Sequence, residues 1–370
     1  MKKLSVYVHI PFCVSKCAYC DFLSFTGDAA TIKAYTSALC AEIELKSADL
    51  KRYTAQTIYF GGGTPTSVPP AYIIDILSFL LEHINVAENA EISIETNPET
   101  VNIAYMKELR QAGFNRVSMG VQTFDDNLLA RINRAHTSDT ARDAYAICCE
   151  AGFENISIDL MFSIPGQDYQ NFQNTLNTAV DLSPEHISCY GLTVEPSTLI
   201  GEEGYEPDEY TDRRMYEMAV ETLTAAGYEH YEISNFALPG YRSRHNTAYW
   251  TGSDYKGFGL GAHSLINNTR FNNETDVEKY IKTKGLTHRR NIDVLKESDI
   301  VSEYIILGLR MLDGINCKDF SLKFDKNIYR EYGEAIRELT DLGLLTAEGD
   351  VIKLTMRGID LSNQVFSRFI

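Results

Sequence analysis

The chain has 370 residues, of which 44% are hydrophobic and 23% are charged, a balance typical of a globular protein with a full-sized core. Acidic residues outnumber basic ones 51 to 34, and the net charge of −17 disfavours a nucleic-acid partner, because phosphate recognition needs a basic surface. No apolar run approaches the ~18–20 residues that cross a bilayer, and the N-terminal MKKLSVYVHIPFC lacks a signal-peptide cleavage site. We therefore expect a cytoplasmic protein, without a transmembrane segment, that handles a small molecule.

Amphipathic helices alternate with short strands over the first two thirds of the chain. Three helices end at a glycine that is followed by an aromatic residue and a strand: Gly113, Gly152 and Gly227. Predicted strands lie near residues 4–9, 56–60, 91–95, 116–120, 156–161, 186–192 and 229–233. Predicted helices lie near residues 31–50, 71–84, 102–112, 138–151, 169–182 and 209–226. The alternation predicts parallel βαβ units with right-handed crossovers.

Polar and glycine residues recur where the predicted strands end. A cysteine cluster follows the first strand, GGGTP follows the second, Glu95 and Asn97 end the third, GVQ ends the fourth, and Asp159 lies in the fifth. A (β/α) barrel builds its site at this edge, whereas an open doubly wound sheet concentrates its site at one switch point. The sequence therefore predicts an α/β fold with a full or partial (β/α) barrel over residues 1–235.

The pattern changes after about residue 235. Residues 239–274 are rich in glycine, asparagine and aromatic residues, and we predict a loop-rich connecting region over residues 236–295. Helices near 298–312 and 327–343, a hairpin in GLLTAEGDVIKLT and a last helix from about 357 predict a small winged-helix-like α+β module over residues 296–370.

Three of the eight cysteines, Cys13, Cys17 and Cys20, lie within eight positions of the sequence. A tight group of this kind indicates a metal site, whereas the scattered cysteines are typical of small buried apolar residues. Zinc, with His9 as a fourth ligand, is one alternative. The other is an iron–sulfur cube, in which three thiolates leave one iron open to an exogenous ligand. We interpret His9 as a residue that orients the cysteine loop.

The motif HIPFCVSKCAYCDF, together with GGGTP, resembles the radical S-adenosylmethionine (SAM) superfamily. The match from YVHIPFC to the C-terminal module resembles the oxygen-independent coproporphyrinogen III oxidase family. The resemblance implies a 4Fe-4S cluster on the three cysteines, with SAM at the open iron. By the same resemblance, the residues that contact a first SAM molecule are Tyr7, Gly62 and Glu95. Those that contact a second one are Gly63, Thr64, Gln122, Arg134 and Asp159.

Two features depart from the oxidase and resemble its heme chaperone (HemW) branch. The oxidase has a further cysteine where this chain has Phe22, and residues 245–250 read HNTAYW, which resembles the HNxxYW motif of that branch. From the residues alone, two interpretations are open: a heme site in which Arg242 and Arg244 pair with the propionates, or a structural loop histidine with Trp250 packed on the barrel. The resemblance favours heme as a ligand, with His245 as its axial ligand. It also implies heme-acceptor proteins, among them respiratory enzymes at the membrane, with peripheral membrane association. The rival is radical oxidative decarboxylation of coproporphyrinogen III.

The segment Gly257-Phe258-Gly259-Leu260-Gly261 has the glycines of a dinucleotide-binding loop. The third glycine comes one position early, and no βαβ unit follows. The sequence therefore gives no support for a dinucleotide site there.

Overall fold

Six parallel strands, paired in chain order, form the centre of the computed structural model, which describes residues 1–286 and 290–370. The strands are β1 (Lys2–Ile10), β2 (Tyr53–Gly62), β3 (Val86–Thr96), β4 (Arg116–Gln122), β5 (Ile156–Phe162) and β6 (His186–Gly191). The helices that follow them are α1 (Ala29–Ser47), α2 (Pro70–His83), α3 (Ile103–Ala112), α4 (Asp126–Arg131), α5 (Ser138–Glu150), α6 (Tyr169–Leu182), α7 (Leu199–Glu202) and α8 (Glu209–Ala225). The predicted α/β class is confirmed.

Apolar and polar side chains alternate along these strands. Val8 of β1 and Phe60 of β2 are completely buried in the core shared with the helices. The intervening positions, such as Tyr59, Glu95 and Ser118, line a common cavity instead. Because successive side chains of a strand point to opposite faces, one face of the sheet packs on helices and the other forms a polar interior.

The sheet continues beyond both sides of the six strands. The predicted seventh strand exists as β7 (Glu229–Glu232), but it forms a hairpin with β8 (Asn235–Ala237), and β8 pairs antiparallel with β6. Beyond β1, the described strands run in the order β9 (Tyr255–Phe258), β10 (His263–Ile266), β11 (Thr269–Asn272) and β12 (Arg290–Val294). The described residues thus form an open series of 12 strands, which corresponds to a partial barrel.

The expectation that residues 239–274 are loop-like is wrong. They contain α9 (Arg244–Trp250) and the strands β9, β10 and β11, and α10 (Val277–Lys282) follows. β9 pairs in parallel with β1, with Ser5 opposite Tyr255 and Val8 opposite Phe258. These strands are only four residues long and have no sustained apolar alternation, so their structure depends on pairing with a distant segment rather than on local pattern.

The C-terminal residues form a small helical unit with a three-stranded sheet. Its elements are α11 (Glu297–Arg310), β13 (Ile315–Asn316), α12 (Cys317–Phe324), α13 (Ile328–Asp341), β14 (Leu345–Glu348), β15 (Val351–Leu354), α14 (Met356–Asp360) and α15 (Ser362–Phe366). β14 and β15 pair as the hairpin that the sequence predicts. The left-handed helix end predicted at Gly113 is also observed, with φ of 114°.

A buried carboxylate, Glu42 of α1, joins this helix to the segment around β9 and α10. Its two oxygens accept hydrogen bonds from Lys46 Nζ (2.9 Å), Asn273 Nδ2 (2.8 Å), the Gly259 N–H (3.0 Å) and Tyr280 Oη (2.6 Å). Three of these four donors lie more than 200 residues away along the chain. The side chain is completely buried, so the bonds replace its hydration.

We expect Glu42→Ala to lower the free energy of unfolding by about 3–5 kcal/mol, because it leaves several buried donors without an acceptor. Chemical denaturation followed by circular dichroism measures the change. Glu44→Ala, two residues away at an exposed position of α1, is the matched control and should change stability by less than about 0.5 kcal/mol. Equal stability of the two variants would contradict the role of Glu42.

Candidate functional site

A cavity of about 460 Å³ lies inside the partial barrel and reaches the loops at the C-terminal ends of its strands. Its lining includes the three clustered cysteines and seven of the eight residues that the resemblance assigns to SAM: Cys13, Cys17, Cys20, Gly62, Gly63, Thr64, Glu95, Gln122, Arg134 and Asp159. The eighth, Tyr7, stacks on Tyr59 with ring centroids 6.3 Å apart, and Tyr59 lines the cavity. The fold therefore gathers residues from five strands at one place.

The cysteine loop between β1 and α1 is fixed by backbone bonds to two distant segments. The Cys13 N–H donates to the Phe25 carbonyl, and the Ala18 N–H donates to the Ile132 carbonyl. The N···O distance is 3.0 Å in both bonds. The second bond ties the loop to the end of α4. These bonds position the thiols at the cavity without help from a disulfide, since all three cysteines are free.

The three thiols fit a cluster held by thiolates. Thr64 Oγ1 donates to Cys13 Sγ (3.7 Å), and Arg134 Nη1 donates to Cys17 Sγ (3.4 Å). Burial raises the pKa of the Cys13 and Cys20 thiols above the ordinary value. Coordination to iron opposes that effect, because a metal ion deprotonates the thiol that binds it. The donors on the sulfurs then stabilise the thiolate form.

The zinc alternative with His9 does not fit this geometry. His9 Nε2 donates to the Leu23 carbonyl (2.9 Å), so Nδ1 is the nitrogen that accepts from Tyr7 Oη (3.0 Å). In the part of the chain that the structure describes, no three Cys, His, Asp or Glu side chains approach closely enough to bind one ion. His9 instead connects β1 to the end of the cysteine loop, which is the orienting role that the sequence predicts.

The glycines of GGGTP allow β2 to press against the cysteine loop. A Cβ atom on Gly63 would lie 2.5 Å from the Phe12 carbonyl oxygen and 3.0 Å from Cys13 Sγ. The N–H groups are already used, since Gly62 donates to Glu95 Oε2 (3.0 Å) and Gly63 donates to the Ile10 carbonyl (2.9 Å). What the motif leaves open to a cofactor is the space of the missing side chains, rather than free N–H groups.

Two carboxylic acids face the cavity and have raised pKa values. Burial raises the pKa of Glu95 to about 7, against the hydrogen bonds from Tyr59 Oη (2.8 Å) and the Gly62 N–H. Burial likewise raises the pKa of Asp159, against hydrogen bonds from neighbouring serines that include Ser118. Both acids therefore ionise less readily than they would in water, and a cationic ligand in the cavity would favour their ionised forms.

Arg134 and Gln122 are held by polar contacts at the upper part of the cavity. Arg134 Nη2 donates to Asn97 Oδ1 (2.7 Å) and to the Gly120 carbonyl. Gln122 has a positive φ of 69°, and its Oε1 accepts from Tyr190 Oη (3.2 Å). These bonds hold both side chains in the wall of the cavity before any ligand is bound.

The HNTAYW segment forms α9, which closes the cavity from the opposite end. Asn246 lines the cavity floor, and His245 stacks on Tyr59 with ring centroids 4.9 Å apart. The N–H groups of Arg244 and His245 both donate to the Glu91 carboxylate of β3, each with an N···O distance of 3.0 Å. A carboxylate at the start of a helix is favourable because unpaired N–H groups and the helix dipole are directed toward it.

His245 is buried with both ring nitrogens in hydrogen bonds. Nδ1 bonds with Thr57 Oγ1 (2.8 Å), and Nε2 bonds with Tyr249 Oη (3.0 Å). Burial lowers the pKa of His245 to about 3, so the ring is neutral. In this arrangement neither nitrogen is open to an iron atom.

The residues expected to pair with heme propionates also have protein partners. Arg242 forms ion pairs with Glu229 (3.2 Å) and with Asp313. Arg244 Nη1 donates to the Asn89 carbonyl (2.6 Å). Trp250 packs under the guanidinium of Arg310, whose carbon atom lies 4.4 Å from the ring centroid. The tryptophan therefore joins the barrel to the C-terminal unit.

Several cavity residues were not predicted from the sequence. They are polar residues on the inward face of β4 and β6 and on the segments beyond them: Arg116, Ser118, Ser188, Tyr190, Asn235 and Asn246. The signal was present in RVSMGVQ, where Arg116, Ser118, Gly120 and Gln122 alternate with apolar residues. Period-two alternation in a parallel strand, which is normally apolar on both faces, indicates a polar interior.

We expect Cys13→Ala, Cys17→Ala and Cys20→Ala each to abolish assembly of the 4Fe-4S cluster, because the cube needs all three thiolates. Iron and sulfide analysis of anaerobically reconstituted protein should give about four of each per wild-type chain. Cys148→Ala, in the core, and Cys317→Ala, at the start of α12, are controls that should retain the cluster. Stoichiometric zinc without iron after anaerobic purification would contradict the assignment.

The raised pKa of Glu95 predicts a pH-dependent stability. The folded state favours the neutral acid of Glu95. The contribution of Glu95 to the free energy of unfolding is therefore complete below pH 4.5, the ordinary pKa, and is lost as the pH rises through about 7. The melting temperature of the ligand-free protein should therefore fall more steeply between about pH 5 and about pH 8 in the wild type than in Glu95→Gln. Glu108→Gln, at an exposed position of α3, should keep the wild-type slope. Parallel wild-type and Glu95→Gln profiles would show that Glu95 titrates normally.

Family models match two parts of the chain. The model of the radical SAM superfamily matches residues 7–179, and the model of the HemN C-terminal domain matches residues 295–361. Among solved structures, coproporphyrinogen III oxidase (HemN) from Escherichia coli, described as a radical SAM enzyme, superposes with a TM-score of 0.87 and 25% identity. The superposition covers 100% of this chain and 90% of that one.

Curated relatives match this chain, two of them over nearly its full length. The heme chaperone HemW of Bacillus subtilis is 36% identical over 375 residues, which cover 99% of each chain. The heme chaperone HemW of Lactococcus lactis is 34% identical, over 100% of this chain and 98% of the relative. The Escherichia coli protein of the same name is 37% identical over 71% of this chain and 70% of its own. The chain therefore belongs to the HemW family of the radical SAM superfamily.

Proposed function

We propose that this protein is a heme chaperone, which binds heme and transfers it to acceptor proteins. The observation that carries the proposal is its similarity to relatives named heme chaperones over at least 99% of the chain, at 36% and 34% identity. As a radical SAM protein it has a 4Fe-4S cluster and SAM as cofactors. Cys13, Cys17 and Cys20 would hold this cluster, and its open iron would supply a binding site for SAM and one-electron chemistry.

The rival function is the oxidase reaction, and the fold does not separate the two. The HemN structure has the same fold at a TM-score of 0.87. Phe22 distinguishes them, because it stands where the resemblance to the oxidase calls for a cysteine. Its ring is 62% exposed and lies in the lining of the main cavity. An exposed aromatic ring at this place offers an apolar contact surface and no thiol chemistry.

The SAM contacts remain those that the resemblance assigns. Tyr7, Gly62 and Glu95 contact the first molecule; the residues for the second are Gly63, Thr64, Gln122, Arg134 and Asp159. Seven of these eight residues line one cavity, which supports this assignment. Glu95 suits a ribose hydroxyl or an ammonium group when it is ionised, and its raised pKa allows an approaching cation to ionise it.

Heme binding near residues 245–250 requires a local change in the hydrogen bonds of His245. Ligation of heme iron by His245 requires its ring to release Thr57 or Tyr249. Next to α9 lies a second cavity of about 300 Å³, whose lining includes Arg242 and Arg244. Its positive side chains and its position beside α9 support heme binding there, with Arg244 as the partner of a propionate.

The acceptors are respiratory enzymes at the membrane, and this protein meets them from the cytoplasm. The support is the similarity to relatives that are named heme chaperones, since a chaperone for heme needs an acceptor. None of the helices in residues 1–286 and 290–370 has the length and apolar character that crossing a bilayer requires.

The heme proposal is tested with two variants that act on the same ring. His245→Ala removes the imidazole, so it should shift the Soret band and weaken heme binding by about tenfold or more. Tyr249→Phe removes only the hydroxyl that competes for Nε2, so it should bind heme at least as tightly as the wild type. Absorbance titration with quenching of Trp250 fluorescence measures both, and the iron content of the cluster should not change.

Three outcomes would count against the proposal. Unchanged affinity and spectrum in a His245→Ala, Trp250→Ala double variant would move the heme site elsewhere. Absence of saturable heme binding to the wild type would remove the chaperone function. Conversion of coproporphyrinogen III to protoporphyrinogen IX over many turnovers, with SAM and reductant supplied, would restore the oxidase.

A further inference from the structure

Arg116 is a buried cation at the first position of β4, inside the partial barrel. Only 2% of the residue is exposed, and its side chain contributes to the lining of the main cavity. Its Nε has no hydrogen-bond partner. Among the described residues, no side chain or carbonyl forms a hydrogen bond or an ion pair with the guanidinium.

The other cationic side chains of the cavity are already bonded. Arg134 donates to Asn97, to Gly120 and to Cys17. Lys16 Nζ donates to the Phe22 carbonyl, with an N···O distance of 2.8 Å. Arg134 Nε also lacks a partner, but both of its terminal nitrogens are bonded. Arg116 differs because, among the described residues, no hydrogen bond occupies any nitrogen of its guanidinium, and its donors remain available to a molecule that enters the cavity.

Two acids lie in the same interior, but neither pairs with Arg116. Glu95 accepts from Tyr59 and from the Gly62 N–H, and Asp159 accepts from Ser118. Burial raises the pKa of both acids, and the charge of Arg116 acts against that effect from a distance. A buried guanidinium without a close anion is costly, and it calls for an explanation in terms of a bound group.

We propose that Arg116 binds a carboxylate of a ligand that fills the part of the main cavity next to the start of β4. The planar guanidinium presents two parallel N–H donors, which match the two oxygens of a carboxylate. The lining of the same cavity also includes neutral hydrogen-bonding side chains, namely Ser118, Ser188, Asn235 and Asn246, which can contribute contacts to such a ligand.

The carboxylate can come from two sources. One is a propionate of a tetrapyrrole, and this source rests on the proposed function. The other is the amino-acid end of a SAM molecule. The main cavity, at about 460 Å³, offers room below the cysteine loop for part of either ligand. Each of the two ligands has a chemical analogue that lacks the free carboxylate, so an experiment can distinguish the two sources.

The experiment compares Arg116→Gln and Arg116→Lys with the wild type, all with the cluster reconstituted. Heme is titrated against heme dimethyl ester, and SAM against 5′-methylthioadenosine, which lacks the amino-acid part. Arg116→Gln should weaken the carboxylate ligand by about 10- to 100-fold and leave its neutral relative unchanged, because one charge-assisted hydrogen-bonded contact is lost. Arg116→Lys should recover part of the affinity.

A purely structural role of Arg116 makes the opposite prediction. If the arginine only balances Glu95 and Asp159, Arg116→Gln should lower the melting temperature and affect charged and neutral ligands equally. With the proposed role, ligand-free Arg116→Gln melts no lower than the wild type, because a buried unpaired charge has been removed. Arg110→Gln, at an exposed position of α3, is the matched control and should match the wild type in every titration.

The results separate this inference from the proposed function. Wild-type binding of heme with unchanged affinity in Arg116→Gln, together with unchanged SAM affinity, would overturn the role of Arg116 and leave the chaperone intact. Failure of the wild type to bind heme would overturn the chaperone, and the SAM titrations would then decide the role of Arg116. Binding of neither carboxylate ligand to the wild type would overturn both.

Discussion

The parallel pairing of β1 to β6 in chain order is the constraint on which the site depends. Parallel strands bring their C-terminal ends to one edge, so residues more than 100 positions apart, such as Cys13 and Asp159, line the same cavity. Pairing also fixes which side chains turn inward, because a shift of one residue would move every polar side chain to the helix-covered face. Helices on the outer face make that exchange costly, and the register is therefore well defined.

The interior of the barrel holds more charge than a protein core normally tolerates. Glu95, Asp159, Arg116 and Arg134 all line one cavity. The structure handles them in different ways: both terminal nitrogens of Arg134 are hydrogen-bonded, the two acids have raised pKa values, and the guanidinium of Arg116 has no hydrogen-bond partner among the described residues. A cavity of this kind is arranged for ligands that bring their own charge.

Local patterns in the sequence were sufficient for the six parallel strands and for the residues at their ends. They were not sufficient for α9, whose first N–H groups bond to Glu91, 154 residues away from His245 along the chain. They also failed for β9, which is a strand because it lies beside β1. Arg116 stands at the start of RVSMGVQ, whereas the pattern typical of a site lies at the end of that strand, in GVQ. The buried position of His245 follows from Thr57 and Tyr59, whose proximity no local pattern reveals.

The glycines at 257–261, which resemble a nucleotide loop only superficially, have a consequence for how this protein can be divided. A Cβ atom on Gly259 would lie 2.7 Å from the His9 carbonyl oxygen, and one on Gly261 would lie 2.6 Å from Leu23 Cδ2. The turn after β9 thus lies directly against the residues that hold the cysteine loop. A fragment cut at the end of the region that matches the superfamily model, residue 179, would lack this support. The superfamily module, although it contains every cysteine of the cluster, is not an autonomous unit in this chain; its metal-binding loop is completed by sequence that follows it.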